Sequence, residues 1–193
     1  DQSRMISVDR EHKTFKAERF CDIINYFKPG DVLVRNNTKV LPARLFGIKD
    51  GTGAHVEVLL LRELEKDLWE CLTGNAKAIK KDTLIIFKQD VLSARCVKML
   101  DEGIRVMKFS YSGVFLEALE EVGLMPLPPY IKKQCEDNSR YQTVYAERLG
   151  SSAAPTAGFH FTPELLAKIK QIGVEIVDIT LHIGLGTFRP VKV

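Results

Sequence analysis

Long hydrophobic runs are missing from this sequence. No uninterrupted apolar run approaches the roughly 18 residues that a membrane-spanning helix requires, and no charged segment followed by an apolar one marks a secretory leader. Apolar residues still make up 45% of the chain and charged residues 27%, which is typical of a soluble globular protein. We therefore expect a soluble protein with an ordinary hydrophobic core.

Cysteine is scarce, and its spacing does not fit the common metal sites. The four cysteines are Cys21, Cys71, Cys96 and Cys135. None lies two residues from another, and no histidine stands near them at the spacing of zinc ligands. A chain with a sizeable apolar core does not require disulfides, so we expect reduced thiols and no metal.

Internal repeats, low-complexity segments and a strong charge bias are also absent. The net charge of +3 neither demands nor excludes nucleic acid, because a basic patch on one face binds phosphate even in a nearly neutral chain. Gly184 and Gly186 flank a single residue, but no third glycine opens a helix after them, so the pair fails as a dinucleotide-binding fingerprint.

The middle of the chain has the pattern of a small all-β domain. Short β-rich runs, separated by turn signals such as Asp50-Gly51-Thr52-Gly53, predict a small sandwich or barrel. The runs are Arg44–Ile48, His55–Arg62, Leu68–Thr73, Thr83–Phe87, Val91–Lys98 and Ile104–Ser110. The sequence thus predicts an α+β protein, in which residues 1–43 and 111–193 form a mixed α/β body and 44–110 an inserted barrel-like domain.

Helical spacing and a strand pattern return in the flanking segments. The predicted helices are 20–27 before Pro29, 114–122 before Gly123, and one that begins at Thr162-Pro163-Glu164 and ends at Gly173. Thr162 is a good N-cap, and Pro163 suits the first helical position. A strand is predicted at 31–35. A longer one at 174–183 places Asp178, Thr180 and His182 on its polar face.

The first candidate site segment runs from Asn36 to Arg44. The side-chain amides of Asn36 and Asn37 offer donors and acceptors that suit ribose hydroxyls or a base edge, with Thr38 and Arg44 as further polar groups. An Asx-type turn between two strands is the simpler explanation of the same asparagines.

The second candidate segment is the small-residue loop before the last predicted helix. Pro155, Thr156, Ala157 and Gly158 let a ligand approach the backbone closely, and the following helix N-terminus favours a carboxylate or phosphate. His160 exchanges protons near neutral pH. The alternative is an ordinary loop with a half-buried histidine.

Two further segments complete the candidate set. The turn containing Gly184, Gly186 and Thr187 follows the predicted polar strand face, where binding loops tend to lie. A further strand is predicted to contain Tyr141, Gln142, Thr143 and Tyr145. Its tyrosines either stack on a base or belong to a packed sheet surface. A weaker signal comes from basic residues that would contact phosphates or are simply solvated. These are Lys77, Lys80, Lys81, Lys132, Lys133 and Arg140.

Five of these strings together resemble the S-adenosylmethionine:tRNA ribosyltransferase-isomerase family. The matching strings are NNTKVLPARLFG (36–47), MPLPPYIK (125–132), RYQTVYA (140–146), AAPTAGFHFT (153–162) and TLHIGLGTFRPV (180–191). Their order and spacing match as well. The sequence departs from the family's pattern at Arg35, where the resemblance implies an apolar residue.

The resemblance implies the reaction and the partners. The family transfers and isomerises the ribosyl group of S-adenosylmethionine onto 7-aminomethyl-7-deazaguanine at the wobble position of tRNA. Epoxyqueuosine-tRNA is formed, and adenine and methionine are released. S-adenosylmethionine is the cosubstrate, and no metal, membrane or obligate protein partner is expected. Family members are longer, so we expect a chain that is incomplete at both ends. Such a piece should be inactive or poorly folded and should have an unpaired sheet edge.

The chemistry requires proton transfers that histidines can perform. A base must remove a C5′ proton next to the sulfonium, the attacking amine must be neutral, and adenine leaves more readily when protonated. His160 and His182 are the catalytic candidates, with Asp178 as the group that orients His182.

Two other classes of protein fit less well. A noncatalytic RNA-binding module would bind tRNA in a salt-sensitive way without S-adenosylmethionine. An ordinary methyltransferase would carry a glycine-rich loop after an early strand, which the first 60 residues lack.

Overall fold

The computed structural model describes residues 1–127 and 138–184. Over this range the chain forms strands and two short α-helices, joined by turns and short 3₁₀ helices. In chain order these are β1 Arg4–Asp9, β2 Thr14–Arg19, β3 Val32–Asn36, β4 Thr38–Val40, β5 Arg44–Lys49, β6 His55–Glu65, β7 Leu68–Gly74, β8 Leu84–Lys88, β9 Leu92–Met99, β10 Ile104–Tyr111, α1 Phe115–Val122, β11 Arg148–Ser151, α2 Pro163–Gln171 and β12 Glu175–Ile179.

The predicted α+β class with a barrel-like domain is confirmed. Strands β10, β7, β6, β5, β8 and β9 close, in that order, into an antiparallel barrel, and each corresponds to one of the six predicted runs. Alternate residues along these strands are fully buried, for example Leu45, Val58 and Leu60, because successive side chains point to opposite faces of a strand.

The chain folds into two compact units. The unit that we call the body takes residues 1–39, 138–150 and 154–182 of the described range. The unit that we call the barrel unit takes residues 40–127, 151–153 and 183–184, and it includes α1. The described cysteines Cys21, Cys71 and Cys96 are free thiols. Burial raises the pKa of Cys71 and keeps that thiol neutral.

A buried arginine holds the turns at one end of the barrel unit. Arg105 is only 5% exposed. It donates hydrogen bonds to the backbone carbonyls of Ala76 (2.8 Å) and Ile79 (3.0 Å), and also to those of Leu100 (3.2 Å) and Ile104 (2.8 Å). Because its donors are satisfied by backbone dipoles, the charged group tolerates burial that an unpaired cation would not.

The body is built on a two-stranded parallel sheet in which β12 pairs with β3. One face of this sheet packs Leu33 and Ile176 against the cluster of Leu165, Ile169 and Val174. Helix α2 supplies two members of that cluster, and its predicted cap is confirmed, since the Thr162 hydroxyl accepts from the Leu165 amide at 3.2 Å. The opposite face exposes the apolar residues Val32 (53%), Val34 (55%), Val177 (36%) and Ile179 (39%).

The strand predicted at 174–183 is shorter than expected. It ends at Ile179 because the side chain of Asn36, rather than its backbone, takes over the pairing. The Asn36 amide accepts from the Leu181 N–H at 3.0 Å and donates to the Leu181 carbonyl at 2.9 Å. The sequence pattern could not predict this end of the strand, because a side chain that replaces the backbone hydrogen bonds between two strands leaves no periodic signal.

The strand predicted at 141–145 is wrong. Tyr141 ends a 3₁₀ helix, Asn138–Tyr141, and the next residues form a turn in which the Ala146 amide donates to the Thr143 carbonyl at 3.1 Å. A turn forms here despite the alternating tyrosines, because Asn138 and Ser139 just before them favour turns.

The β1–β2 hairpin belongs to the body and was not predicted. Its strands are antiparallel, with Val8 opposite Phe15, and both side chains are largely exposed. No helix in the described part of the chain has the length and apolar character needed to cross a membrane.

Candidate functional site

The body brings the asparagine pair and the polar end of β12 together. Asn36 anchors Leu181 as described above, and its side-chain oxygen also accepts from the Thr38 amide at 3.1 Å. That last contact is the hydrogen bond of an Asx turn, which was the simpler explanation of the sequence. The amide that we predicted for a ribose or a base therefore holds the protein's own backbone here.

Asn37 is 6% exposed, and its side chain is also engaged within the body. Its oxygen accepts from the Thr180 hydroxyl at 2.7 Å, and its nitrogen donates to the Glu147 carboxylate at 3.2 Å. The backbone carbonyl of Asn37 accepts from the amides of Glu147 and Arg148 as well. Asn37 thus joins three segments of the body, and its substitution would separate them.

Thr38 and His182 form the most direct contact between two predicted site residues. The fully buried Thr38 hydroxyl lies 2.8 Å from Nδ1 of His182, and His182 as a whole is an exposed residue. A Cβ added at Gly150 would lie 2.8 Å from both Cε1 and Nε2 of the same ring. The ring is therefore held between a hydroxyl and a glycine, a geometry in which it presents a defined edge to solvent.

Asp178 does not orient His182, contrary to the prediction. Its carboxylate is paired with Arg35 on the neighbouring strand, with Nε–Oδ1 at 2.5 Å and Nη2–Oδ2 at 3.0 Å. The reason is the register, since Asp178 stands directly opposite Arg35 in the parallel pair. The hydrogen bond from Arg35 lowers the pKa of the Asp178 carboxyl, so Asp178 carries a negative charge at neutral pH.

Tyr145 and Gly158 are in contact, although they come from different predicted segments. A Cβ added at Gly158 would lie 2.3 Å from the Tyr145 phenol oxygen and 2.7 Å from the Thr143 methyl group. Burial raises the pKa of Tyr145, while Arg35 acts in the opposite direction. Within the described residues the buried Thr143 hydroxyl has no hydrogen-bond partner.

The remaining aromatic candidate is not free to stack on a base. Tyr141 is 5% exposed, and its ring packs edge-on against Phe159, with centroids 5.6 Å apart. Its neighbour Gln142 is half-buried in the same turn. For Tyr141 the alternative of a packed aromatic side chain therefore fits the structure.

The small-residue loop leads into a short 3₁₀ helix, Thr156–His160. Thr156 and Ala157 are exposed, Pro155 is half-buried and Gly158 is buried. His160 contacts different residues from those that contact His182. Its Nδ1 is 3.0 Å from the Ser3 hydroxyl, and the centre of its ring lies 5.1 Å from that of Phe20. The two histidines therefore have separate surroundings.

The first turn of α2 already contains a carboxylate. Backbone and Thr162 hydrogen bonds lower the pKa of Glu164, so the side chain of Glu164 is anionic at the place predicted for a ligand carboxylate.

Of the other predicted residues, Arg44 and Gly184 belong to the barrel unit. Arg44 pairs with Glu57 on β6 at 2.6 Å, and its guanidinium lies 5.5 Å from the centre of the Phe46 ring. Gly184 is exposed. Gly186, Thr187, Lys132 and Lys133 lie outside the described residues.

Sequence reasoning missed three polar residues. Arg35 was noticed only as an exception, although an arginine in an otherwise apolar strand indicates an acidic partner. Ser151 was not singled out, yet its hydroxyl donates to the Ala153 carbonyl at 2.6 Å and accepts from the Ile183 amide at 2.9 Å. Glu147 was missed because no pattern marks it.

No group of three or more His, Cys, Asp or Glu side chains forms a metal-ligand cluster in residues 1–127 and 138–184. An open groove of about 790 Å³ lies on the barrel unit, lined by residues that include Phe46, Ile48, His55 and Phe87. None of the predicted site residues lines it.

The chain belongs to the queuosine biosynthesis protein family, whose model matches residues 1–193. The resemblance predicted from the five strings is thereby confirmed. The chain is also similar to a solved structure, the S-adenosylmethionine tRNA ribosyltransferase from Thermotoga maritima. The two are 31% identical over 95% of this chain, with a TM-score of 0.39. This chain spans about half of that protein's length, 51%.

Proposed function

We propose that the full-length protein containing these residues is an S-adenosylmethionine:tRNA ribosyltransferase-isomerase. It transfers and isomerises the ribosyl moiety of S-adenosylmethionine onto 7-aminomethyl-7-deazaguanine at the tRNA wobble position. The products are epoxyqueuosine-tRNA, adenine and methionine. The proposal includes a cytoplasmic location and S-adenosylmethionine as the cosubstrate. Membership of the queuosine biosynthesis family carries it.

The contact between Thr38 and His182 supports a proton-transfer role for this part of the body. The hydroxyl fixes one ring nitrogen at 2.8 Å, and we propose Nε2, which lies beside Gly150, as the nitrogen that serves a substrate. A histidine whose ring is held in this way suits general acid–base catalysis near neutral pH. His182 is our first candidate for a proton transfer in the reaction.

His160 remains a second candidate with a separate role. Its ring is bonded to Ser3 and packed on Phe20, and it follows the loop that we propose as a binding segment for the cosubstrate. If the two histidines serve different proton transfers, substitution of each should affect a different step. Asn36 and Asn37 support the site by anchoring the ends of the segments that carry Thr38 and His182.

Adenine release and product mass test the proposal together. The full-length protein is incubated with S-adenosylmethionine and tRNA carrying 7-aminomethyl-7-deazaguanine, and free adenine is measured by chromatography. His182→Ala should slow adenine release by about 10²-fold or more, as expected for loss of a general acid or base. Arg62→Ala, at an exposed pair with Glu70 on the barrel, is the matched control and should leave the rate unchanged.

The outcome separates the two histidines. An unchanged rate for His182→Ala removes that residue from the mechanism, and an unchanged rate for His160→Ala removes the other. Absence of adenine release by the wild-type protein contradicts the proposed activity as a whole.

A further inference from the structure

Arg35 lies between a carboxylate and an aromatic ring in the body. Its guanidinium makes a two-pronged contact with Asp178, at 2.5 and 3.0 Å, and its Cζ lies 4.3 Å from the centre of the Tyr145 ring. The Arg35 side chain is 19% exposed. A fork of this kind fixes both the position and the plane of the guanidinium.

Tyr145, whose ring lies beside Arg35, also contacts the loop at 155–158. Its phenol oxygen occupies the space that a side chain at residue 158 would need, 2.3 Å from the site of the missing Cβ. The Tyr145 ring also meets Phe161 edge-on, with centroids 6.5 Å apart. The position of the Tyr145 ring and the path of the backbone at Gly158 are therefore linked, because the two are in close contact.

The same sheet shows what a purely structural pair would be. Two register positions away on the same face, Leu33 stands opposite Ile176, and both pack against the core of the body. A partly buried ion pair contributes little net stability over apolar residues of similar size. We therefore expect the Arg35–Asp178 pair to orient the Tyr145 ring rather than to stabilise the fold. Two valines at positions 35 and 178 would leave the face of the Tyr145 ring without a fixed partner.

We propose that Arg35 is a positioning residue for cosubstrate binding. Held by Asp178, it fixes Tyr145 against Gly158 and so sets the shape of the Pro155–Gly158 loop. This inference rests on the proposed function in one respect, which is that the loop binds S-adenosylmethionine. It also follows that the ring face covered by Arg35 is closed to a stacking base.

The first test measures the phenol itself and needs no activity. The full-length protein is labelled with ¹³Cζ-tyrosine, and Tyr145→Phe identifies the signal of Tyr145 in an NMR pH titration. Arg35→Met should move the Tyr145 midpoint upward, because the guanidinium that favours the phenolate is gone. Arg62→Met, in the exposed pair with Glu70, should leave it in place. Superimposable Tyr145 titrations of wild type and Arg35→Met would overturn the inference.

The second test uses the dissociation constant of S-adenosylmethionine, measured by calorimetry, in a double-mutant cycle. Arg35→Met should weaken binding about tenfold in the wild-type background, and less than twofold in the Tyr145→Leu background. Tyr145→Phe keeps the ring beside Arg35 but loses the oxygen that meets Gly158, and should therefore reduce the Arg35 effect. Arg35→Lys keeps the charge but loses the fork, and should recover binding only in part. Thermal unfolding of each variant checks that it is folded.

Failures of the two ideas are distinguishable. Equal weakening by Arg35→Met in the wild-type and Tyr145→Leu backgrounds means that Arg35 does not act through Tyr145, and the inference is wrong. No binding of S-adenosylmethionine by the wild-type protein counts against the proposed function, and the NMR titration then decides whether Arg35 positions Tyr145.

Discussion

The Thr38 hydroxyl and Nδ1 of His182 are 2.8 Å apart, although 144 positions separate the two residues in the chain. Thr38 is fully buried, whereas His182 is exposed. A rigid hydroxyl inside the body therefore orients an imidazole at its surface. Two of the strings that identified the family meet at this contact.

Thr38→Val should release the His182 ring. The substitution keeps the shape of the side chain but removes the hydroxyl, at a cost of about 1 kcal/mol in the free energy of unfolding. Thr38→Ser keeps the oxygen but removes a buried methyl group, and should itself cost about 1 kcal/mol. Urea unfolding measures both values. Adenine release should fall in Thr38→Val and persist in Thr38→Ser, and equal rates in the two variants would argue against an orienting role for the hydroxyl.

Gly150→Ala should disturb the same histidine from the opposite side. Gly150 has φ +143°, a conformation that residues with a side chain rarely adopt, and the new methyl group would lie 2.8 Å from the His182 ring. We expect a loss of more than about 1 kcal/mol in the free energy of unfolding. The His182 ring signals in the NMR spectrum should shift as well.

Gly30→Ala is the control for Gly150→Ala. Gly30 also has positive φ, +90°, but nothing lies within 4 Å of its missing Cβ. It should lose stability through backbone strain alone and leave the His182 signals unchanged. If the His182 signals respond equally to both substitutions, the proposed packing of Gly150 on the ring is incorrect.

The pairing of Asp178 with Arg35 predicts a specific dependence of stability on pH. Arg35 lowers the pKa of the Asp178 carboxyl below its ordinary value of 3.8. The pair therefore stabilises the folded state above that pH, and the contribution is lost as the pH falls through the lower folded-state pKa. The difference in unfolding free energy between wild type and Asp178→Asn should be largest near neutral pH and shrink as the pH falls below 3.8. A difference that grows on acidification would contradict the pairing.

The exposed face of the β3–β12 sheet predicts unequal effects of matched substitutions in the 193-residue chain. Val34→Thr and Val177→Thr change the open face and should alter the free energy of unfolding by less than about 0.5 kcal/mol. Leu33→Thr and Ile176→Thr change the packed face and should each cost about 1 kcal/mol or more. Urea unfolding gives all four values. Losses of the same size on both faces would mean that the valine face is covered in solution.

The barrel was predictable because its strands carry a local signal. Short runs rich in β-forming residues, with turn residues between them, mark each strand without reference to its partners, as in His55–Glu65. The cap of α2 was equally local, since Thr162 and Pro163 act within one helical turn.

The polar contacts of the site were not predictable from such signals. The register of β3 against β12 decides that Asp178 meets Arg35 rather than His182, and no local pattern encodes the register of a two-stranded parallel pair. Likewise, the Asn36 side chain that ends β12 acts across 145 positions. The residue types singled out these segments, but the partners of each side chain depend on how the segments meet.

The mass of the wobble nucleoside tests the central claim most directly. After incubation of the full-length protein with S-adenosylmethionine and tRNA carrying 7-aminomethyl-7-deazaguanine, the tRNA is digested and its nucleosides are weighed by mass spectrometry. The account predicts a gain that corresponds to the ribosyl-derived group of epoxyqueuosine, with one adenine released for each modified tRNA. A methyl-sized gain, or no gain despite tRNA binding, would contradict it.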